Sequence, residues 1–172
     1  MQHREAASDT PAPTLTCSDS IYTASLRPGA IPKEFKAIVI GPAIFNVLQE
    51  ARDPSLLERS GALLVYKSPL TIAATGEVTI TASSVHAGRI VVLYGKDVPY
   101  KLATGKPHMA AFPVADHFRL CGYAGRALRV PQFAGGFGVS RPGCYRIEVE
   151  RGRRSTSRVV SLGAGLTCAA KA

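Results

Sequence analysis

Turn residues punctuate this chain so often that no long helix can be written through it. Gly, Pro, Asp and Ser clusters recur every 8 to 14 residues, and no stretch sustains an apolar period of 3.6. Regular short spacing of this kind points to strands joined by turns, in an antiparallel sandwich or barrel. The segments between the turns agree. Glu77–Ser83 alternates, with Val78, Ile80 and Ala82 on one face and Thr79 and Thr81 on the other. Tyr145, Ile147 and Val149 likewise alternate with Arg146, Glu148 and Glu150. A period of two marks a strand buried on one side only. Lys36–Gly41, Ala62–Lys67, Gly88–Gly95 and Ser157–Gly163 read as further strands, the third apolar on both faces and so expected at the centre of a sheet. Ser68–Gly76 reads as another strand, and Gln49–Gly61 has room for one helical turn.

At 172 residues the chain can bury roughly 70% of its unfolded surface, enough for a core without outside help. Its hydrophobic content of 46% against 19% charged residues excludes wholesale disorder. Residues 1–14, rich in Ala, Ser, Thr and Pro, read as a flexible lead, and residues 15–172 as one domain. The expected fold is all-β: an antiparallel immunoglobulin-like β-sandwich stapled by two disulfides.

The staples are inferred from four cysteines, Cys17, Cys121, Cys144 and Cys168. None falls in a CxxC and no His pair lies at zinc-ligand spacing, which argues against a metal site. An even count spread along the chain reads as two disulfides and an oxidising compartment. Buried free thiols are the alternative. Of the three pairings, Cys121–Cys144 and Cys17–Cys168 are expected. Cys121 ends one strand-like run and Cys144 opens another, while Cys17 and Cys168 flank the domain, whose ends tend to meet. No apolar run of 18 residues exists and Met1–Thr14 has no apolar signal core. An exported protein of this kind would need a leader or anchor that the sequence does not contain.

A net charge of +9 suits acidic partners, although it also serves solubility. Six arginines, Arg141, Arg146, Arg151, Arg153, Arg154 and Arg158, crowd into eighteen residues. The run Arg151-Gly152-Arg153-Arg154 is expected at a hairpin tip, where Arg151, Arg153 and Arg154 could contact phosphate or carboxylate, with Lys33 and Lys36 as helpers. The competing account is a solvated hairpin in which Glu148 and Glu150 pair with Arg146 or Arg158. Upstream, the glycines of Phe133–Ser140 lack the lysine and the following helix of a phosphate loop. Gly135 and Gly136 are better explained by a bulge or a close approach of two strands.

Nothing in the sequence argues for catalysis. There is no GxSxG and no HExxH, and His3, His86, His108 and His117 are dispersed, only His117 having a carboxylate neighbour, Asp116. No catalytic residue, cofactor or metal is expected. Interleaved aromatics of an RNA-binding surface are missing too, which disfavours nucleic acid as a partner.

Ile38–Phe45, the later Lys67–Gly76, Phe118–Gly122, Phe133–Glu150 and the final Arg158–Cys168 together resemble small exported actinobacterial β-sandwich proteins of unknown function. The likeness covers about two thirds of the chain. It implies a sandwich, a disulfide joining Cys121 to Cys144 and an envelope location, and it carries over no functional residue. The resulting expectation is a non-enzymatic secreted or cell-surface protein that binds or scaffolds other envelope components. The alternative is an anion-binding module using the basic hairpin, its ligand an envelope polymer, nucleic acid or lipid head groups.

Overall fold

In a computed structural model the chain is described over residues 10–26, 36–95, 97–104, 107–121, 128–165 and 168. Fourteen strands dominate. The first sheet joins β1 (Thr14–Thr16), β10 (Ala115–Leu120), β8 (Gly76–Ser84), β13 (Gly143–Arg151) and β14 (Arg154–Leu162), in that order. All its pairs are antiparallel except β1 with β10. A second sheet runs β2 (Tyr22–Leu26), β11 (Leu128–Phe133), β7 (Leu70–Ile72), β4 (Ala43–Phe45) and β3 (Ile38–Ile40). A third runs β5 (Glu58–Ser60), β6 (Leu63–Lys67), β12 (Gly136–Val139) and β9 (Ile90–Val92).

The second and third sheets are two halves of one interrupted ladder. Leu70 faces Phe133 on one side of the break and Lys67 faces Gly136 on the other. Between them the Ser68 N–H donates to the Gly135 carbonyl at 2.9 Å, so the register never slips. Pro69 supplies no donor, and regular pairing stops at Ser68 and Pro69. The glycines opposite are there for lack of a side chain. A Cβ on Gly136 would sit 1.9 Å from the Tyr66 carbonyl oxygen, and one on Gly135, at φ +153°, would sit 2.3 Å from the Leu93 oxygen. The expected close approach of strands is therefore what Gly135 and Gly136 provide.

The inner faces meet in one core. Val78, Ile80, Phe118, Tyr145, Ile147 and Val149 from the first sheet pack against residues such as Phe45, Leu70, Ile72, Phe133 and Phe137 from the interrupted ladder. An aromatic chain crosses it: Phe133 to Phe118 at 4.9 Å between centroids, Phe118 to Tyr94 at 6.1 Å, Tyr94 to Phe137 at 6.1 Å and Phe137 to Phe45 at 5.7 Å. Pairs at such separations contribute about 0.5–1.5 kcal/mol each beyond area burial. A smaller cluster, Leu63, Val65, Val91, Leu93, Met109 and Phe112, covers the other face of the third sheet. Among the described residues one α-helix, α1 (Val98–Thr104), turns Val98 and Leu102 onto that cluster. This explains β9: it ends the ladder instead of lying at its centre as expected, yet is buried on both faces. Leu48–Arg52 and Pro54–Leu56 are 3-10 turns, in the segment expected to hold a helical turn.

All four cysteines are paired, but not as the sequence suggested. The bonds are Cys17–Cys121 and Cys144–Cys168, with Cα atoms 6.0 and 5.8 Å apart. Strand β8 explains why Cys121 cannot reach Cys144. Leu120 lies opposite Gly76 at its start, whereas Val85, just past its end, donates its N–H to the Cys144 carbonyl. At about 3.3 Å per residue the two ends are about 26 Å apart. The same length separates Cys17 from Cys168. Parallel pairing of Thr16 with Arg119 instead delivers Cys17 beside Cys121.

In the chain-entropy account the bonds, closing 104 and 24 residues, contribute about 4.7 and about 3.5 kcal/mol. Non-reducing peptide mapping should recover a peptide containing Cys17 linked to one containing Cys121, and Cys144 linked to Cys168. A Cys121–Cys144 linked peptide would contradict the strand order of the first sheet.

Candidate functional site: a basic hairpin tip and a buried acid

Strands β13 and β14 form a nine-pair hairpin closed by a two-residue turn at Gly152 and Arg153. Gly152 takes φ +58°, as a primed hairpin turn needs at its first position. The tip therefore forms where the sequence placed it. Arg151 and Arg154 are directly opposite one another and Arg153 occupies the turn. All three are exposed, and none has an ion pair among the described residues. Like charges directly opposite on a ladder repel. Beside the tip a shallow groove of about 780 Å³ runs past Thr75, Glu77, Thr79 and Glu150. Glu77 is turned to Arg119 at 3.3 Å, leaving Glu150 as the nearest carboxylate on the hairpin itself.

The pairing expected across the hairpin does not form. Register places Glu148 opposite Ser157 and Glu150 opposite Ser155, while Arg158 faces Ile147 and so lies on the other side of the sheet. Glu148 accepts the Ser155 hydroxyl, and Arg146 donates to Ser157 Oγ at 3.4 Å. Lys36 does not join the tip. Lys36 is ion-paired with Glu50 in a different groove, and Lys33 lies outside the described residues.

The feature that sequence reading missed is Asp116. Its neighbour His117 points outward and its Nδ1 meets the Thr79 hydroxyl at 2.9 Å, but strand alternation turns Asp116 into the core with Phe118 and Leu120. The signal was present in Ala115–Leu120, where Asp116 occupies the same parity as two apolar residues. Asp116 Oδ2 accepts the Tyr94 N–H at 3.1 Å, and Oδ1 has no partner among the described residues. The network continues outward from there. Tyr94 donates its hydroxyl to the Ser68 carbonyl at 2.8 Å, and Ser68 donates its hydroxyl to the Asn46 carbonyl at 2.8 Å. Burial raises the Asp116 carboxyl to about 8, partly opposed by the Tyr94 hydrogen bond, and burial also holds the Tyr94 phenol well above its usual value.

His86 and His108 are exposed and apart from both features, and His3 lies outside the described residues. Among the described residues no three His, Cys, Asp or Glu side chains are placed to hold a metal ion. Compared with protein-family models, curated proteins and solved structures, the chain matches none.

The buried acid makes stability depend on pH. The folded carboxyl holds its proton up to about pH 8 and the unfolded one only to about 4, so the folded state binds the extra proton between them. Stability from this group is full below pH 4, falls as pH rises towards 8 and is flat above. Asp116→Asn should flatten that slope, and the variant should gain on wild type by a few kcal/mol, on the order of the pKa difference, between pH 5 and pH 8. Parallel denaturation curves for the two proteins across this range would contradict a neutral buried Asp116.

Proposed function

We propose that this is a non-enzymatic binding protein of an oxidising, extracytoplasmic space, and that its ligand is an anionic polymer held at the Arg151–Arg154 tip. The observation that carries the reading is the opposition of Arg151 and Arg154 with Arg153 between them, three exposed guanidinium groups without ion pairs among the described residues. An anion with two or more acceptor oxygens relieves that repulsion, and guanidinium forks suit phosphate, sulfate or carboxylate. The two disulfides support the compartment, and among the described residues no helix is long and apolar enough to cross a membrane. Secretion and attachment to the cell surface belong to this proposal. So does the immunoglobulin-like class of the sandwich, with the interrupted ladder and the parallel β1 as elaborations. The resemblance to exported actinobacterial sandwich proteins is part of the same proposal, without the Cys121–Cys144 bond it implied.

A structural role for the tip predicts otherwise than a binding role. Titration with polyphosphate or heparin at 50 and 300 mM salt, as on the order of a Debye length of 14 and 6 Å, separates them. Binding should weaken steeply at the higher salt, and Arg151→Ala/Arg153→Ala/Arg154→Ala should cost at least about tenfold at the lower, with two or three fewer ions released. Affinity unaffected by salt, or unchanged in the triple variant, would remove the proposal.

A further inference from the structure

The first sheet ends at β14, nine residues long and without proline, and its outer edge is only partly covered. A two-residue hairpin fixes which groups face out. Arg151 and Arg154 close the turn as a hydrogen-bonded pair, so the residues of even number on β14 bond to β13. Ser155, Ser157, Val159 and Ser161 then turn their N–H and C=O groups to the open side. The same parity continues past the strand, where Gly163 and Gly165 donate to the Ala51 and Arg52 carbonyls at 2.6 and 2.8 Å. The edge is thus already zipped at its far end by the Leu48–Arg52 turn. Among the described residues it is unpaired from Ser155 to Ser161.

A groove of about 900 Å³ runs along this open stretch, between β14 and the opposite edge strand β3. Its floor is apolar, with Ile38, Leu48 and Val160, and Leu56 stands at its rim 44% exposed. The charged groups facing it are unequal. Lys36 and Glu50 neutralise each other, and Asp53 is engaged by the Ser55 N–H and hydroxyl. Arg52, Arg146 and Arg158 have no ion pair among the described residues, and Glu148, facing Ser157, accepts the Ser155 hydroxyl. The half-buried Ser161 adds a hydroxyl without a partner among the described residues.

We infer that this edge binds an extended acidic polypeptide segment of another protein by strand addition. The backbone of the added strand would pair with Ser155–Ser161, side chains of one parity would enter the groove over Ile38, Leu48 and Val160, and carboxylates of the other parity would lie on the outer face, where Arg146 stands. Charge decides against a second copy of this chain as occupant. Pairing β14 with itself brings Arg154 and Arg158 of one copy against those of the other, a known protection of edges from self-association. An acidic strand turns the same charges into attraction.

The test uses the intact, oxidised protein labelled with nitrogen-15 and three peptides, Ac-EVEVEVE-NH2, Ac-KVKVKVK-NH2 and Ac-EVEPEVE-NH2. The acidic peptide should shift the amides of Ser155, Ser157, Val159 and Ser161 saturably, with the lysine and proline peptides at least about tenfold weaker. Ser157→Pro removes an outward N–H and leaves the β13 ladder intact, so it should abolish binding. If that variant does not fold, Arg146→Glu should weaken the acidic peptide at least about tenfold. The Arg151, Arg153 and Arg154 triple-alanine variant should still bind, which separates this site from the hairpin tip. Equal binding of all three peptides, or shifts confined to the tip, would overturn the inference. Concentration-dependent shifts of the same amides without peptide would overturn it as well, by making a second copy the occupant.

Discussion

The structure depends on one paired break in a ladder. Where β6 passes into β7 and β11 into β12, regular pairing stops on both strands while the register is kept, so one ladder joins two sheets. Hydrogen bonds close the break. Ser68 donates its N–H to Gly135 and its hydroxyl to Asn46, its carbonyl accepts the Tyr94 hydroxyl, and the Pro69 carbonyl accepts the Asn46 N–H at 2.9 Å. Every main-chain polar group of a residue with no solvent exposure is therefore satisfied. Glycines 135 and 136 let the facing strand come close enough for this, because neither position has space for a Cβ.

From this junction, contacts reach the rest of the molecule. Tyr94 links it to Asp116 on β10, tying the interrupted ladder to the first sheet through hydrogen bonds as well as through the aromatic core. A neutral carboxyl suits that position, since an ionised one would keep a full charge in a core with one acceptor oxygen unpaired. The third sheet joins the main core with one face and presents a second apolar face on the other side, which α1 and the Met109–Ala111 turn cover. The first sheet meanwhile carries its long hairpin past the core. That overhang exposes both the arginine tip and the open edge of β14, so the binding surfaces proposed above follow from the way the core is closed.

How much of this was legible depended on range. Strands with one wet face, such as Glu77–Ser84 and Gly143–Arg151, carried their own alternation and could be read directly. The tip could be read too, because Gly152 between arginines is a local turn signal. Pairing information is not local. Cys121 and Cys144 looked like neighbours only because each borders a strand, and nothing in either flank reveals that β8 lies lengthwise between them. The partner of Cys17 required knowing that β1 pairs in parallel with β10. The junction was invisible for the same reason: Pro69 and the Gly135-Gly136 pair are 66 residues apart, and their meeting is a property of register. Helix α1 was hidden by its length, since seven residues holding Val98 and Leu102 four apart make less than two full apolar turns. Asp116 was the exception, a polar residue on an apolar face of a readable strand, and its burial could have been inferred.

If the Ser68–Gly135 junction is what holds the sheets together, its amides should open only when the whole protein unfolds. Native-state hydrogen exchange reads this directly, at the Ser68 N–H, which donates to Gly135, and the Leu93 N–H, which donates to Gly136 at 3.0 Å. Both should exchange with the free energy of global unfolding, alongside core amides of β8 and β13. Exchange of Ser68 at the rate of a surface turn, with β8 still protected, would show that the junction opens on its own and is not the constraint on which the fold rests.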